Sequence, residues 1–214
     1  MVQRVTIIDY GSGNLRSVQK AVELAAREAG MASRVYVADD PDLITAADRQ
    51  ILPGVGAYAA CMAGLSKRTG VLEAMQHVVL AEGRPFLGIC VGMQLLADQG
   101  FEFEVSPGLG WITGAVRPLS DIAPALRVPH MGWNAATAKD DHDLFQGLEG
   151  QAFYFANSFY FDPQNVAHVL CESTYGQTFA SGIVRDNIAG VQFHPEKSQT
   201  AGQRFLTNFL HWTP

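Results

Sequence analysis

Phe86-Leu87-Gly88-Ile89-Cys90-Val91-Gly92-Met93-Gln94, "FLGICVGMQ", sets a cysteine between two glycines where an apolar run gives way to a helix-like segment. A nearly continuous apolar run of this length suits a strand covered on both faces, the habit of parallel sheets. Glycine two residues either side of the thiol is the sulfur counterpart of the G-x-S-x-G elbow, whose strained strand-to-helix turn lifts a nucleophile out of the sheet. Only glycine lets neighbouring backbone approach such a turn without a Cβ clash. Since about one residue in ten is glycine, composition alone would flank a given cysteine this way roughly once in a hundred cases. The expectation is an accessible Cys90, with the following helix pointing its N-terminus at the sulfur and favouring thiolate over thiol. Cys61 and Cys171 lack these neighbours and read as structural thiols packed in a core.

Working outward, "VTIID" (Val5 to Asp9) reads as a strand, and Leu15, Val18, Val22, Ala25 and Ala29 after it mark one face of a helix. "RVYVA" (Arg34 to Ala38) and "QILPG" (Gln50 to Gly54) follow as short strands, and a helix is predicted over Val71 to Ala81. From Trp111 the pattern turns β-rich, with "AFYFANSFYF" (Ala152 to Phe161), "VAHVLCES" and "AGVQF". A last helix then carries Phe205, Leu206, Phe209 and Leu210 on one face. Alternation of strands and helices followed by a β-rich part predicts a doubly wound α/β fold with a mostly parallel central sheet and added antiparallel strands. No repeat or linker divides the 214 residues, so one domain spanning 1–214 is expected.

Composition narrows the function. With 48% hydrophobic and 17% charged residues, a single buried core is readily formed. No run of eighteen apolar residues occurs, and "MVQRVTIIDYGSGN" enters a strand without a signal-peptide pattern, so a soluble cytoplasmic protein is expected, with no membrane role. Three cysteines without a C-x-x-C pair indicate free thiols, not a disulfide framework or a zinc site. A formal net charge of −6 disfavours nucleic acid or a heavily phosphorylated ligand as direct partners of this chain.

A thiol nucleophile needs a proton-transfer partner, and "VQFHPEKS" offers His194 and Glu196 two residues apart. In an extended segment alternate side chains share a face, so Glu196 can orient the imidazole while His194 exchanges a proton with Cys90. A zinc-deaminase reading of H-x-E requires P-C-x-x-C, which the chain lacks, so neither metal nor cofactor is expected. In "LPGVG" the turn Gly54-Val55-Gly56 closes another strand, where a backbone amide can join that of Val91 in an oxyanion hole. "DYGSGN" is neither G-x-G-x-x-G nor a P-loop, so nucleotide binding there is rejected.

G-x-C-x-G with a later H-P-E resembles the class I (triad) glutamine amidotransferases. "DYGSGNLRSV", "LPGVGAY", "GICVGMQLL", "GLGW", "VPHMGWN" and "GVQFHPEKS" together resemble the glutaminase subunits of imidazole glycerol phosphate synthases, nearly end to end. The resemblance implies a flavodoxin-like fold in which Cys90 attacks the amide of glutamine, His194 protonates the departing ammonia and Glu196 orients His194. It implies that Gly56, Gln94, Glu102 and Ser158 hold glutamine, and that ammonia passes to a (β/α)₈ cyclase partner. By the same resemblance Asn14, Met131, Trp133, Asn134, Tyr154 and Lys197 meet that partner, although Trp133 could equally be a core tryptophan. One departure stands out: Asn157 in "YFANSFYF" occupies a place where the family usually carries histidine. Two other readings remain open, the same glutaminase feeding a sugar-amidating synthase and a non-catalytic regulatory role. The intact Cys90, His194 and Glu196 weigh against the second.

Overall fold

A computed structural model describes residues 2–214. Its sheet has a parallel centre in the order Ser33–Ala38, Gln3–Ile8, Arg49–Gly54, Phe86–Cys90 and Ile188–Val191. Gln177–Arg185 pairs antiparallel with the last of these, and Phe159–Pro163, Gly114–Pro118, Gln99–Glu102 and Glu104–Pro107 extend the sheet beyond it. The strand alternation of the sequence thus resolves into the mixed, mostly parallel arrangement expected, with antiparallel strands added at one side.

The helices lie on both faces, as the period-two alternation of the first strand shows. Gln3 donates from one face to the Leu210 carbonyl of the helix Gln199–His211 at 3.2 Å, while Thr6, of opposite parity, donates to the Leu43 carbonyl of the short helix Pro41–Thr45. Next door, Arg49 lies over the Phe209 ring and Gln50 donates to Ile44, repeating the division. The helix Leu15–Glu28 turns Val18, Ala21, Val22, Ala25 and Ala26 inward. Among the described residues no helix is long and apolar enough to cross a membrane.

Several elements differ from the sequence reading. The helix predicted over Val71 to Ala81 is α-helical only at Val71–Gln76 and continues as a wider π-turn, His77–Ala81. Five residues are too few for the longer period of a π-turn to show in the apolar spacing, so the sequence does not mark the change. Pro41–Thr45 was not anticipated, although Asp40 caps the amide of Asp42 and Pro41 opens the helix, both legible start signals. Tyr58–Lys67 was also missed, because its first turn is satisfied from 44 residues away, where Glu102 accepts from the Tyr58 amide at 2.6 Å. "AFYFANSFYF" is two strands, not one. Ala152–Asn157 pairs with His130–Ala135 in a separate ribbon, Phe159–Pro163 joins the main sheet, and the break falls at Ser158.

The glycines of the opening stretch are there for space. A Cβ on Gly92 would overlap the Leu52 carbonyl oxygen, and one on Gly88 would lie 2.5 Å from the carbonyl oxygen of Gly92. Gly54 faces the same turn, its notional Cβ 2.8 Å from the Gly92 amide. Gly92→Ala is therefore expected to lower folding stability by about 1–3 kcal/mol, the usual cost of forcing atoms into a filled interior. Chemical denaturation of the purified variant checks this.

Candidate active site

The strand Phe86–Cys90 ends in a backbone few residues adopt. Cys90 sits at φ 56° and ψ −112°, and the chain then makes the helical turn Val91–Gln94. A non-glycine residue held there carries strain of order 1–3 kcal/mol, tolerated because the surrounding sheet fixes both flanks. The helix expected behind the sulfur is this single turn, so a macrodipole of the anticipated size does not form. Cys90 is also less open than expected, 4% exposed, at the floor of a cavity of about 270 Å³.

His194 arrives on that cavity from the segment after Ile188–Val191, a strand running parallel beside Phe86–Cys90 with Val191 opposite Ile89. Here the local expectation needs correction. The segment is not extended through Glu196: His194 is extended, but Pro195–Lys197 curls into a 3₁₀ turn. Proline's fixed φ suits the first residue of such a turn, where its missing N–H costs nothing. The curl still brings Glu196 Oε1 to 2.9 Å from His194 Nδ1, with the side chains 3% and 2% exposed. Ser198 locks the turn by donating to the His194 carbonyl at 2.6 Å and accepting from the Tyr154 amide at 2.9 Å. Beneath it Phe193 stacks on Phe153 at 4.1 Å and meets Phe155, Phe145 and Phe205 edge-on.

Burial by itself would lower the His194 pKa, yet the neighbouring Cys90 sulfur and the hydrogen-bonded Glu196, with their negative charge, outweigh it and raise the value from 6.5 to about 9. The imidazole is therefore held as imidazolium beside the sulfur. Because the folded value is the raised one, this group's contribution to stability is fully present below pH 6.5 and fades as the pH climbs through about 9.

The cavity gathers most of the other residues singled out in sequence. Val55, Gly56, Val91, Gln94, Glu102 and Ser158 all line it. Gly54 does not; it packs behind against Tyr10, Val91 and Gly92. Glu102 is partly committed to the Tyr58 amide, so one carboxylate oxygen anchors a helix while the residue borders the cavity. Val55 is presented differently from expectation: its N–H donates to Ser12 Oγ at 3.1 Å and its carbonyl accepts from the same hydroxyl at 2.6 Å. The peptide groups on both sides of Val55 are thus clasped to the "DYGSGN" loop, and the Val55 N–H is occupied there.

Of the remaining candidates, Met131 and Trp133 are 65% and 50% exposed, which excludes the core reading of Trp133. Trp133 meets Tyr154 edge-on at 6.2 Å, and the Lys197 ammonium lies 5.8 Å from the Tyr154 ring centre. Lys197, read as an outer residue, lines the cavity as well. Asn134 donates to the Thr174 carbonyl, and Asn14 is exposed at the start of Leu15–Glu28. Asn157 is buried in the cavity wall, with Nδ2 donating to the Phe159 carbonyl at 2.9 Å and Oδ1 unpaired. Cys171 is fully buried, its thiol pushed up to about 12 by desolvation, as suits a structural role. Cys61 lies against Ser12 Oγ and the Val55 carbonyl, a position its sequence context did not signal. Ser12, Gln192 and Ser198 were also missed, since each has at least one partner distant in sequence.

A thiol on a strained elbow, a buried imidazolium–carboxylate pair beside it and a cavity the size of an amino acid define a thiol-dependent acyl-transfer enzyme. The chain belongs to the class I glutamine amidotransferases: the family described as "Glutamine amidotransferase class-I" matches residues 6–212. It is 52% identical over 214 residues to "Imidazole glycerol phosphate synthase subunit HisH" of Caulobacter vibrioides, covering 100% of both chains. The protein of the same name from Rhodospirillum rubrum is 52% identical over 99% of this chain and 100% of that one. Among solved structures, a glutamine amidotransferase superimposes with a TM-score of 0.71 at 18% identity, covering 97% of each chain. Another glutamine amidotransferase, from Thermotoga maritima, gives 0.65 at 17%, covering 99% of this chain and 84% of that one. These two likenesses bear on the fold alone.

The raised His194 value sets a pH expectation. The basic limb of kcat/KM for glutamine, which reports the free enzyme, should lie near pH 9, where the imidazolium is lost. Removing the carboxylate charge in Glu196→Gln should move that limb to lower pH; a limb that stays in place would remove Glu196 from the proton balance of the site.

Proposed function

We propose that the chain hydrolyses the side-chain amide of glutamine at Cys90 and passes the ammonia to a separate synthase partner, as a part of imidazole glycerol phosphate synthase in histidine biosynthesis. The observation that carries this reading is the convergence of Cys90 and His194 on one cavity, with Glu196 paired to the imidazole behind it, in a chain matched end to end by relatives of that name. The Cys90 sulfur attacks the amide carbon, a C–S bond forms and the carbonyl pair moves onto oxygen. His194 gives its proton to the nitrogen as the C–N bond breaks, and ammonia leaves. Water then adds to the thioester and returns a proton to His194, and the C–S bond breaks to release glutamate. Glu196 holds Nδ1 so that the other ring nitrogen faces the sulfur. The Val91 amide stabilises the oxyanion, with Gln94, Glu102, Ser158 and Gly56 around the glutamine.

The second oxyanion donor is the Val55 amide, which must leave Ser12 to serve. One such donor is typically worth about 10²–10³ in rate, so the chain alone is slow and its partner selects the competent state. The partner is a (β/α)₈ cyclase seated on the face of Asn14, Met131, Trp133, Asn134, Tyr154 and Lys197. Neither nucleic acid nor membrane takes part, and the unpaired Cys61, Cys90 and Cys171 suit a reducing cytoplasm.

Glutamate release measured on the chain alone and with its co-purified partner tests the activity: Cys90→Ser should lose it under both conditions and keep the wild-type melt, while Cys171→Ser retains it. Near-normal turnover by Cys90→Ser would overturn the assignment. For the docking face, Trp133→Ala should weaken association by about 2 kcal/mol or more in a titration with the partner, the scale of an aromatic anchor. The melt of that half-exposed variant should stay close to wild type.

A further inference from the structure

A second contact to the Cys90 sulfur comes from a buried residue outside the cavity lining. Gln192 follows Val191 in the strand beside Phe86–Cys90, and the parallel register that puts Val191 opposite Ile89 sets Gln192 next to Cys90. Its side chain is completely buried, with Nε2 3.6 Å from Cys90 Sγ and Oε1 2.9 Å from Gln94 Nε2. Gln94 Nε2 also lies 3.2 Å from the Phe159 carbonyl.

These contacts fix which way each amide faces. The Phe159 backbone carbonyl only accepts, so the group beside it on Gln94 is the NH₂. That NH₂ has a second proton, aimed at the neighbouring side chain, which must present oxygen: this is Gln192 Oε1. Gln192 therefore turns its own NH₂ toward the sulfur. Asn157 Nδ2 takes the other lone pair of the Phe159 carbonyl, so the residue that departs from the family pattern is one of the two donors fixing this end of the chain of bonds. The outcome is a one-way relay from a main-chain carbonyl, through two buried amides, to the nucleophilic sulfur.

We propose that Gln192 is a catalytic donor to the Cys90 sulfur, held in its donating sense by Gln94 and Phe159, and that it orients the sulfur and stabilises its negative charge before glutamine arrives. The proposal rests on the reading of Cys90 as nucleophile. It assigns a task left open by the structure, since the one-turn helix after the elbow offers little macrodipole. An N–H donor to a charged acceptor in a dry interior is strong, and nothing else competes for it at a fully buried side chain. The other groups facing the sulfur are His194, with Glu196 behind it, and the buried Tyr10; Glu102 and Lys197 stand on the cavity wall.

The test is the pH profile of Cys90 alkylation by iodoacetamide, followed by mass spectrometry of the Cys90 peptide in the full chain, together with a thermal melt. Gln192→Met keeps the volume and removes the donor; its profile should move up by about one pH unit, a tenfold loss of thiolate at a fixed lower pH. Gln192→Glu, an isostere that puts negative charge against the sulfur, should move it further in the same direction. A folded Gln192→Met with the wild-type profile would overturn the proposal, as would a variant whose melt falls while its profile stays put. Alkylation needs no glutamine turnover, so failure here differs from failure of the glutaminase reading: an unmoved profile in a chain whose Cys90→Ser variant is dead removes only Gln192. A displaced profile in a chain whose Cys90→Ser variant still turns over removes the nucleophile and with it the catalytic role of Gln192, leaving only the donor contact to the sulfur.

Discussion

The site depends on one close approach of backbone to backbone. The turn after Phe86–Cys90 is pressed against the end of Arg49–Gly54, so closely that a methyl group on Gly92 would overlap the Leu52 carbonyl and one on Gly54 would crowd the Gly92 amide. The contact is possible only because three glycines clear it, and it holds Cys90 in a left-handed conformation. Everything else at the site is arranged around a sulfur whose position the sheet has already fixed. In this fold class ligands bind beyond the carboxyl ends of parallel strands, and the cavity stands there, over the ends of Arg49–Gly54 and Phe86–Cys90.

A buried imidazolium and carboxylate next to a thiol is costly unless each member is paired. The pairing comes from geometry: Glu196 at 2.9 Å on one side of the ring and the Cys90 sulfur on the other, on a turn that Ser198 stitches to Tyr154. The aromatic cluster under Phe193 supplies the rigidity this needs, because stacked and edge-on rings leave the turn no room to shift. Stability and reactivity meet in the same contacts.

The Val55 peptide shows the opposite strategy. Elsewhere around the sulfur polar groups are bound where chemistry would use them, but this amide is bound to Ser12. A hydrogen bond to a half-exposed hydroxyl is a modest restraint, of order 0.5–1.5 kcal/mol, so a small conformational bias is enough to free this amide.

Local rules carried much of this molecule. The alternation of strands and helices, the inward faces of Leu15–Glu28 and Gln199–His211, and the elbow flanked by Gly88 and Gly92 are written in spacing and in glycine, because each follows from contacts within a few residues. The meeting of Cys90 with His194 was legible as chemistry: a thiol on an elbow requires such a partner, and H-P-E offered one. What the sequence alone left undecided lies where partners are remote. Glu102 caps Tyr58 across 44 residues, Ser158 breaks an apparent single strand because its two halves enter different sheets, and Trp133 is half exposed because it lies opposite Tyr154 on the outer face of a ribbon whose inner face buries Phe153 and Phe155. The clasp of Val55 by Ser12 and the relay from Phe159 through Gln94 and Gln192 belong to the same kind. Hydrogen bonds between groups forty to a hundred residues apart have no period and no local propensity, so only the folded register of neighbouring strands decides them.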